Sequence, residues 1–260
     1  MDITTLIGIV IAVFSLLATM YFKGVPYSAF ANPAALMIIF GGTVGVVLNA
    51  FPMKDIKNLG ALFGLLFTDK KTITNAETIN VLMEYAQLAR KEGMLTLETK
   101  IESAPIPFLK RGLSLLVSGM TNDYIAEILG EENAEMEKRH AANAAIFSQA
   151  GTYAPTLGVM GAALGLIASL ANMEDMEKVS HAISAAFMAT IFGIFTGYVL
   201  WHPFSNKLKR KSKFEVLNNE IIIEGILCLA SGDSPMVLEE KVLSYLPKVE
   251  REHYLAQRHK

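Results

Sequence analysis

Four stretches of the chain carry no Asp, Glu, Lys or Arg: Ile3–Phe22, Ala31–Met53, Ala141–Met173 and Val179–Asn206. A helix rises 1.5 Å per residue, so about twenty apolar residues cross the hydrocarbon core of a bilayer. The pattern predicts four membrane-spanning helices. Between the second and third stretches the period changes. In 75–92, Ile79, Leu82, Met83, Ala86 and Ala89 recur at helical spacing, and Gly93 offers a stop. Shorter helices are predicted over 54–68, Leu95–Glu102 and 108–119, with Pro105 and Pro107 as breaks, and a long helix starts near 122. The acidic run EENAEMEKRH reads as a solvated helix face. After 213, Ile221, Ile222, Ile226 and Leu229 mark one apolar face, Gly232–Pro235 a turn, and Pro235–Val249 a further helix.

No segment reads as strand. The expected fold is all-α: a polytopic membrane protein with four transmembrane helices and a helical lobe between the second and third. The expected divisions are 1–53 (spans one and two), 54–140 (lobe), 141–206 (spans three and four) and 207–260 (helical tail).

Charge sets the orientation. Of 23 Lys and Arg residues, only Lys23 and Lys178 fall in the links between spans one and two and between spans three and four. The rest lie in the central segment, the KLKRKSK cluster after span four, and the tail. The positive-inside rule therefore places both termini and the lobe in the cytoplasm. KLKRKSK is most simply an anchor at anionic headgroups. The first span follows a single charge, Asp2, with no basic cluster and no small-residue cleavage pattern, so it is expected to be retained. A net charge of −2 excludes a nucleic-acid binder built on bulk positive charge. One cysteine, Cys228, excludes an intrachain disulfide and a cysteine metal site.

The spans hold little chemistry. Asn32-Pro33 suits a helix start, and Pro52 disfavours continuation of span two. Gly41, Gly42, Gly45, Gly158, Gly161, Gly165, Gly193 and Gly197 read as packing positions, because small residues let membrane helices approach. His181 and His202 sit near opposite ends of span four, about 30 Å apart on helical rise, too far to share a metal. Single threonines in membrane helices usually bond back to their own backbone. Pro155 removes a helix hydrogen bond inside span three and marks a bending point. Pro203 is expected to end span four just before the basic cluster. Arg90 and Glu98 flank the Gly93 break, either as a surface pair worth well under ~1 kcal/mol or as opposite charges offered to a partner. No Walker loop, HExxH or nucleophile–base pair is visible, so the chain is not expected to be an enzyme, and no cofactor or metal is expected.

The segments LIGIV, FANPAALMIIFGGT, AQLARKEGMLTLE, QAGTYAPTLGVMGAALGLI and HAISAAFMATIFGIFTGYVLWHPFSNKLKRKS together resemble the MotA family of flagellar stator subunits across nearly the whole chain. The resemblance implies an ion-driven torque generator of the bacterial inner membrane. Several copies, by resemblance five, would surround a dimer of a MotB-type single-span partner carrying an essential Asp, and the lobe would push on the rotor protein FliG. An ion path needs a titrating group, and these spans contain no acid, so the partner would bring it. The resemblance assigns Pro155 and Pro203 to coupling, Thr190 to the ion route, and Arg90 and Glu98 to rotor contact. In sodium-type relatives a Thr follows the GMIG-like segment of span three; here GVMG is followed by Ala162, which points to protons, since a hydroxyl helps replace sodium's hydration shell. An ExbB- or TolQ-like energiser is the rival, although those relatives usually have three spans and an outside N-terminus. A non-conducting scaffold would tolerate Pro155→Ala.

Overall fold

The computed structural model describes residues 3–25, 27–30, 32–68, 73–171 and 173–258. The expected edge of span two at Ala31, and Asn172 near the end of span three, lie outside them. The described residues are helical throughout, with no strand: α1 (Ile3–Lys23), α2 (Pro33–Ala50), α3 (Leu59–Phe67), α4 (Asn75–Glu92), α5 (Pro107–Val117), α6 (Asn122–Leu170), α7 (Met176–Ser231), α8 (Pro235–Leu243) and α9 (Lys248–Arg258), with short turns between. Four of these, α1, α2, α6 and α7, are long and apolar enough to cross a membrane.

The chain divides into two compact units. The first contains residues 1–70 and 140–210, the second 71–139 and 211–260, so α6 and α7 contribute to both.

The first unit pairs α6 with α7 and α2. Asn32 caps α2 as expected, its Oδ1 accepting from the Ala35 N–H at 3.2 Å. Two segments are wound as π-turns, Met37–Gly41 in α2 and Thr196–Trp201 in α7. The second corrects an expectation: Pro203 does not end its helix, which runs on to Ser231. The widened turn before it gives the proline ring room, and local π winding is one way membrane helices absorb a proline. An aromatic cluster of Phe63, Phe147, Trp201 and Phe204 packs with centroids 5.2 to 6.4 Å apart, edge-on in every pair except the tilted Phe147–Trp201. The buried Ser205 hydroxyl donates to the Ala144 carbonyl at 2.8 Å, tying α7 to α6.

The second unit has its own core. Ile79, Leu82, Leu109, Leu113, Ile125 and Ile226 are fully buried in one cluster with parts of α8 and α9. Gly225 lets α7 reach α4: a β-carbon there would sit 2.5 Å from Leu82 Cδ1. Thr74 and Glu77 form a reciprocal capping box at the start of α4, and Gly93, at φ 92°, ends that helix with a conformation that favours glycine. Burial pushes the Cys228 thiol up to about 11, so at neutral pH it stays protonated and unreactive.

Three further expectations are corrected here. Asn133, inside the acidic run, is buried rather than solvated; it accepts from Asn219 Nδ2 at 3.1 Å and donates to the Val216 carbonyl at 3.3 Å. Burial without such partners is costly for an amide. The helix expected over Pro235–Val249 is two helices, since α8 stops at Leu243 and α9 begins at Lys248, after Pro247. The helix expected over 54–68 is also two pieces, Met53–Ile56 and Leu59–Phe67.

Candidate ion-path and coupling site

The α6–α7 contact is built from residues without bulk. A β-carbon on Gly158 would lie 2.8 Å from the Ala189 carbonyl oxygen and 3.1 Å from Gly193 Cα. One on Gly165 would meet Ala186 Cβ at 3.0 Å and the Ala182 carbonyl at 3.2 Å. Glycine at these places brings the two backbones into contact. Gly161 receives Ile38 of α2 and Ala189 of α7, and Gly42 receives Leu157. A β-carbon on Gly41 or Gly45 would meet nothing within 4 Å, so they are not close-contact positions within this chain.

Pro155 sits at one end of this seam. A β-carbon on Gly197 would be 2.8 Å from Pro155 Cγ, 2.9 Å from Cδ, and 2.8 Å from the Gly151 carbonyl oxygen. That carbonyl is the acceptor four residues before Pro155, and a proline has no N–H to offer it. The α7 segment facing Pro155 is the Thr196–Trp201 π-turn. A proline-interrupted turn on one helix therefore lies against a widened turn on its neighbour. One turn further on, Gly151 makes room for the imidazole of His202, whose ring also lies tilted against Tyr198 with centroids 5.3 Å apart.

Ala162 and Thr190 each adjoin the Gly161–Ala189 contact in sequence, so they share one level of the α6–α7 pair. Thr190 is half-buried, and its hydroxyl donates back to the Ala186 carbonyl at 3.4 Å. The hydroxyls of Thr152, Thr156 and Thr196 bond back in the same way. Pro203 is exposed and follows His202 directly. Thr152 and Thr156 lie on an exposed face of α6 with Val159 and Met160. In the first unit Asp175, the N-cap of α7, accepts from the Lys178 backbone N–H at 3.1 Å. That bond, and the Lys178 ammonium 3.1 Å away, hold its carboxyl below the usual range, so it stays ionised at neutral pH.

Arg90 and Glu98 belong to the second unit, apart from the four positions above. Both are exposed, on either side of Gly93. Among the described residues no ion pair joins them, whereas the neighbouring Lys100 pairs with Glu84 at 3.5 Å. Their surface-pair alternative is not formed. Sequence reasoning missed the Gly151–His202 contact, the Pro155–Gly197 contact and both π-turns. The available signal was the four-residue spacing of Gly193 and Gly197 on α7 beside Gly151, Pro155 and Gly158 on α6.

Comparison with known proteins gives a consistent picture. The profile of the MotA/TolQ/ExbB proton channel family matches residues 100–221, and that of the motility protein A N-terminal region matches residues 6–93. The chain is 55% identical to Motility protein A of Bacillus subtilis over 96% of its own length and 93% of that protein's. It is 33% identical to Motility protein A of Helicobacter pylori, over 95% of each. Its fold is similar to a chain in the structure of the flagellar MotAB stator complex from Bacillus subtilis, at a TM-score of 0.91 and 54% identity, covering 97% of this chain and 99% of that one.

Proposed function

The chain belongs to the MotA/TolQ/ExbB proton channel family as a stator subunit of the flagellar motor, and from that premise we propose that it couples inward proton flow to torque. It does so in the inner membrane as a homo-oligomer, by family resemblance a pentamer, around a dimer of a MotB-type single-span partner. Both termini, the lobe of residues 54–140 and the tail of residues 207–260 face the cytoplasm. The basic residues gathered in those segments support this orientation.

One observation carries the reading. The charge-free stretches of α6 and α7, residues 141–170 and 179–206, contain no carboxylate, and the hydroxyls of Thr152, Thr156 and Thr190 already donate to backbone carbonyls. A proton path along them needs a carboxylate from another chain. Protonation of that carboxylate removes the cost of a buried charge, so the partner helix packs differently against α6 and α7 in its two states. Pro155 and Pro203 set the compliance of the two helices, and Ala162 and Thr190 flank the route. Ala162 offers no hydroxyl to replace sodium's hydration shell, which favours the proton.

The test is co-expression with the single-span partner in a stator-deleted strain. Swimming is expected to persist in sodium-free medium and to stop when the proton gradient is collapsed. Dependence on sodium overturns the proton assignment. Growth inhibition by the complex without swimming favours an envelope energiser of the ExbB/TolQ kind.

Arg90 and Glu98 are proposed to meet the rotor protein FliG. Arg90→Glu and Glu98→Lys are each expected to shrink swim rings markedly while leaving membrane accumulation unchanged. Recovery by a charge reversal on the rotor supports direct contact, and full swimming of both variants removes it.

A further inference from the structure

The first unit contains an apolar cleft that the ion path does not use. It has a volume of about 270 Å³ and is lined by Val13 and Leu17 of α1, Phe40 of α2, and Phe192, Thr196 and Leu200 of α7, among others. Both π-turns contribute to it, Phe40 from one and Thr196 and Leu200 from the other. A π-turn inserts one residue into the helical register, so the apolar faces on either side do not close over it. The cleft offers no unspent polar group: the Thr196 hydroxyl donates to the Phe192 carbonyl at 2.8 Å. Water has no partner there, and an empty cleft forgoes the dispersion contacts of its walls. Its occupant is hydrocarbon.

Charge beside the cleft says which hydrocarbon. Lys207 donates to the hydroxyls of Thr4, at 3.3 Å, and Thr5, which joins α7 to the first turn of α1. The exposed Arg210 lies three residues on, on the same face of the helix as Lys207. Leu200 is seven residues from Lys207 and Phe192 fifteen, so the cleft spans about 10 to 22 Å from that basic end along α7. Half the hydrocarbon core is about 15 Å, so the cleft lies at the depth that the chains of the basic-side leaflet reach. We propose that the cleft binds one acyl chain of an anionic phospholipid whose phosphate is held by Lys207 and Arg210, which lie three residues apart on one face of α7. This rests on the membrane placement given above, not on the identity of the ion.

The test uses the whole complex, this chain with its single-span partner. In membranes it is labelled with phosphatidylglycerol carrying a photoreactive acyl chain, and the adducts are mapped by mass spectrometry. Adducts are expected to concentrate on the cleft residues of α1, α2 and α7. Leu200→Trp fills the cleft and is expected to lower labelling at least about tenfold, the effect of losing two buried methylenes. Val13→Trp fills it from α1 and guards against misfolding of the first variant. Lys207→Gln is expected to reduce labelling by phosphatidylglycerol more than by phosphatidylethanolamine. Adducts spread evenly around α1, or undiminished in both filled variants, overturn the site. So does a Val13→Cys crosslink to a neighbouring chain, which makes the occupant protein. Failure of the stator reading registers separately, as loss of swimming in the unsubstituted complex.

Discussion

Pro155→Ala is expected to abolish swimming, or reduce it to a trace, while the chain still accumulates in the membrane and still assembles with its partner. The argument begins with one carbonyl. Gly151 has no helical N–H to accept from, because the residue four positions on is a proline. The Gly197 backbone lies against that carbonyl and against the proline ring, close enough that a β-carbon would be 2.8 Å from each. The facing segment of α7 is π-wound rather than α-wound. An interior proline costs a helix about 3 kcal/mol, so alanine favours the straight, fully bonded form. A device that alternates between two packings tolerates little such bias. A shift of 1–3 kcal/mol changes their ratio about 5- to 150-fold. The substitution therefore stabilises the chain and locks the machine. Gly197→Ala attacks the same contact from the other side by forcing the helices apart. The two substitutions are expected to be non-additive, because each alters the same contact. Swim-ring diameter and tethered-cell rotation measure function; membrane blots and the size of the solubilised complex measure assembly. Wild-type rotation in Pro155→Ala removes the coupling role, and loss of the complex itself reassigns Pro155 to folding.

The spans were legible because membrane solvation is a blunt constraint. A run without charge long enough to cross is hard to produce otherwise, and α1, α2, α6 and α7 each contain one. The core of the second unit was legible in part: Ile79, Leu82, Met83 and Ala86 announced their face through helical spacing, and all are buried. What stayed hidden depends on residues distant in sequence. Asn133 is polar by composition and buried by circumstance, because Asn219 and the Val216 carbonyl, 86 and 83 positions away, satisfy it. Pro203 looked like a stop because an isolated proline usually is one; here a π-turn precedes it and the helix continues. At the candidate site, Pro155 stood out from the sequence, but its partner did not. Gly197 was one glycine among several, and nothing local separated it from Gly45, where an added β-carbon would meet nothing within 4 Å.

That difference between glycines leads to the other large effect. Gly193→Val is expected to lower accumulation of the chain several-fold, whereas Gly45→Val leaves it near the unsubstituted level. A β-carbon on Gly193 would sit 2.7 Å from the Ala154 carbonyl oxygen and 2.9 Å from Gly158 Cα. Both neighbours are backbone, so neither can rotate away, and valine adds two further methyl groups. Overpacking of a close-packed core costs about 1–3 kcal/mol, occasionally more. Within a bilayer that loss has no counterweight, because lipid tails are as apolar as the helix surfaces and close packing is what holds α6 to α7. Destabilisation of about 1–2 kcal/mol is enough to change cellular abundance several-fold. Gly193→Ala is expected to fall between the two. Gly45 lies on an open face of α2, so a side chain there meets nothing in this chain. If Gly45→Val accumulates normally yet fails to swim, the open face meets another subunit. Equal accumulation of Gly193→Val and Gly45→Val, by membrane blot and by thermal size-exclusion of the solubilised protein, rejects the close α6–α7 contact. The two substitutions are alike in chemistry and both lie in membrane spans, so the contrast isolates the single variable at issue, the backbone on the other side of the glycine.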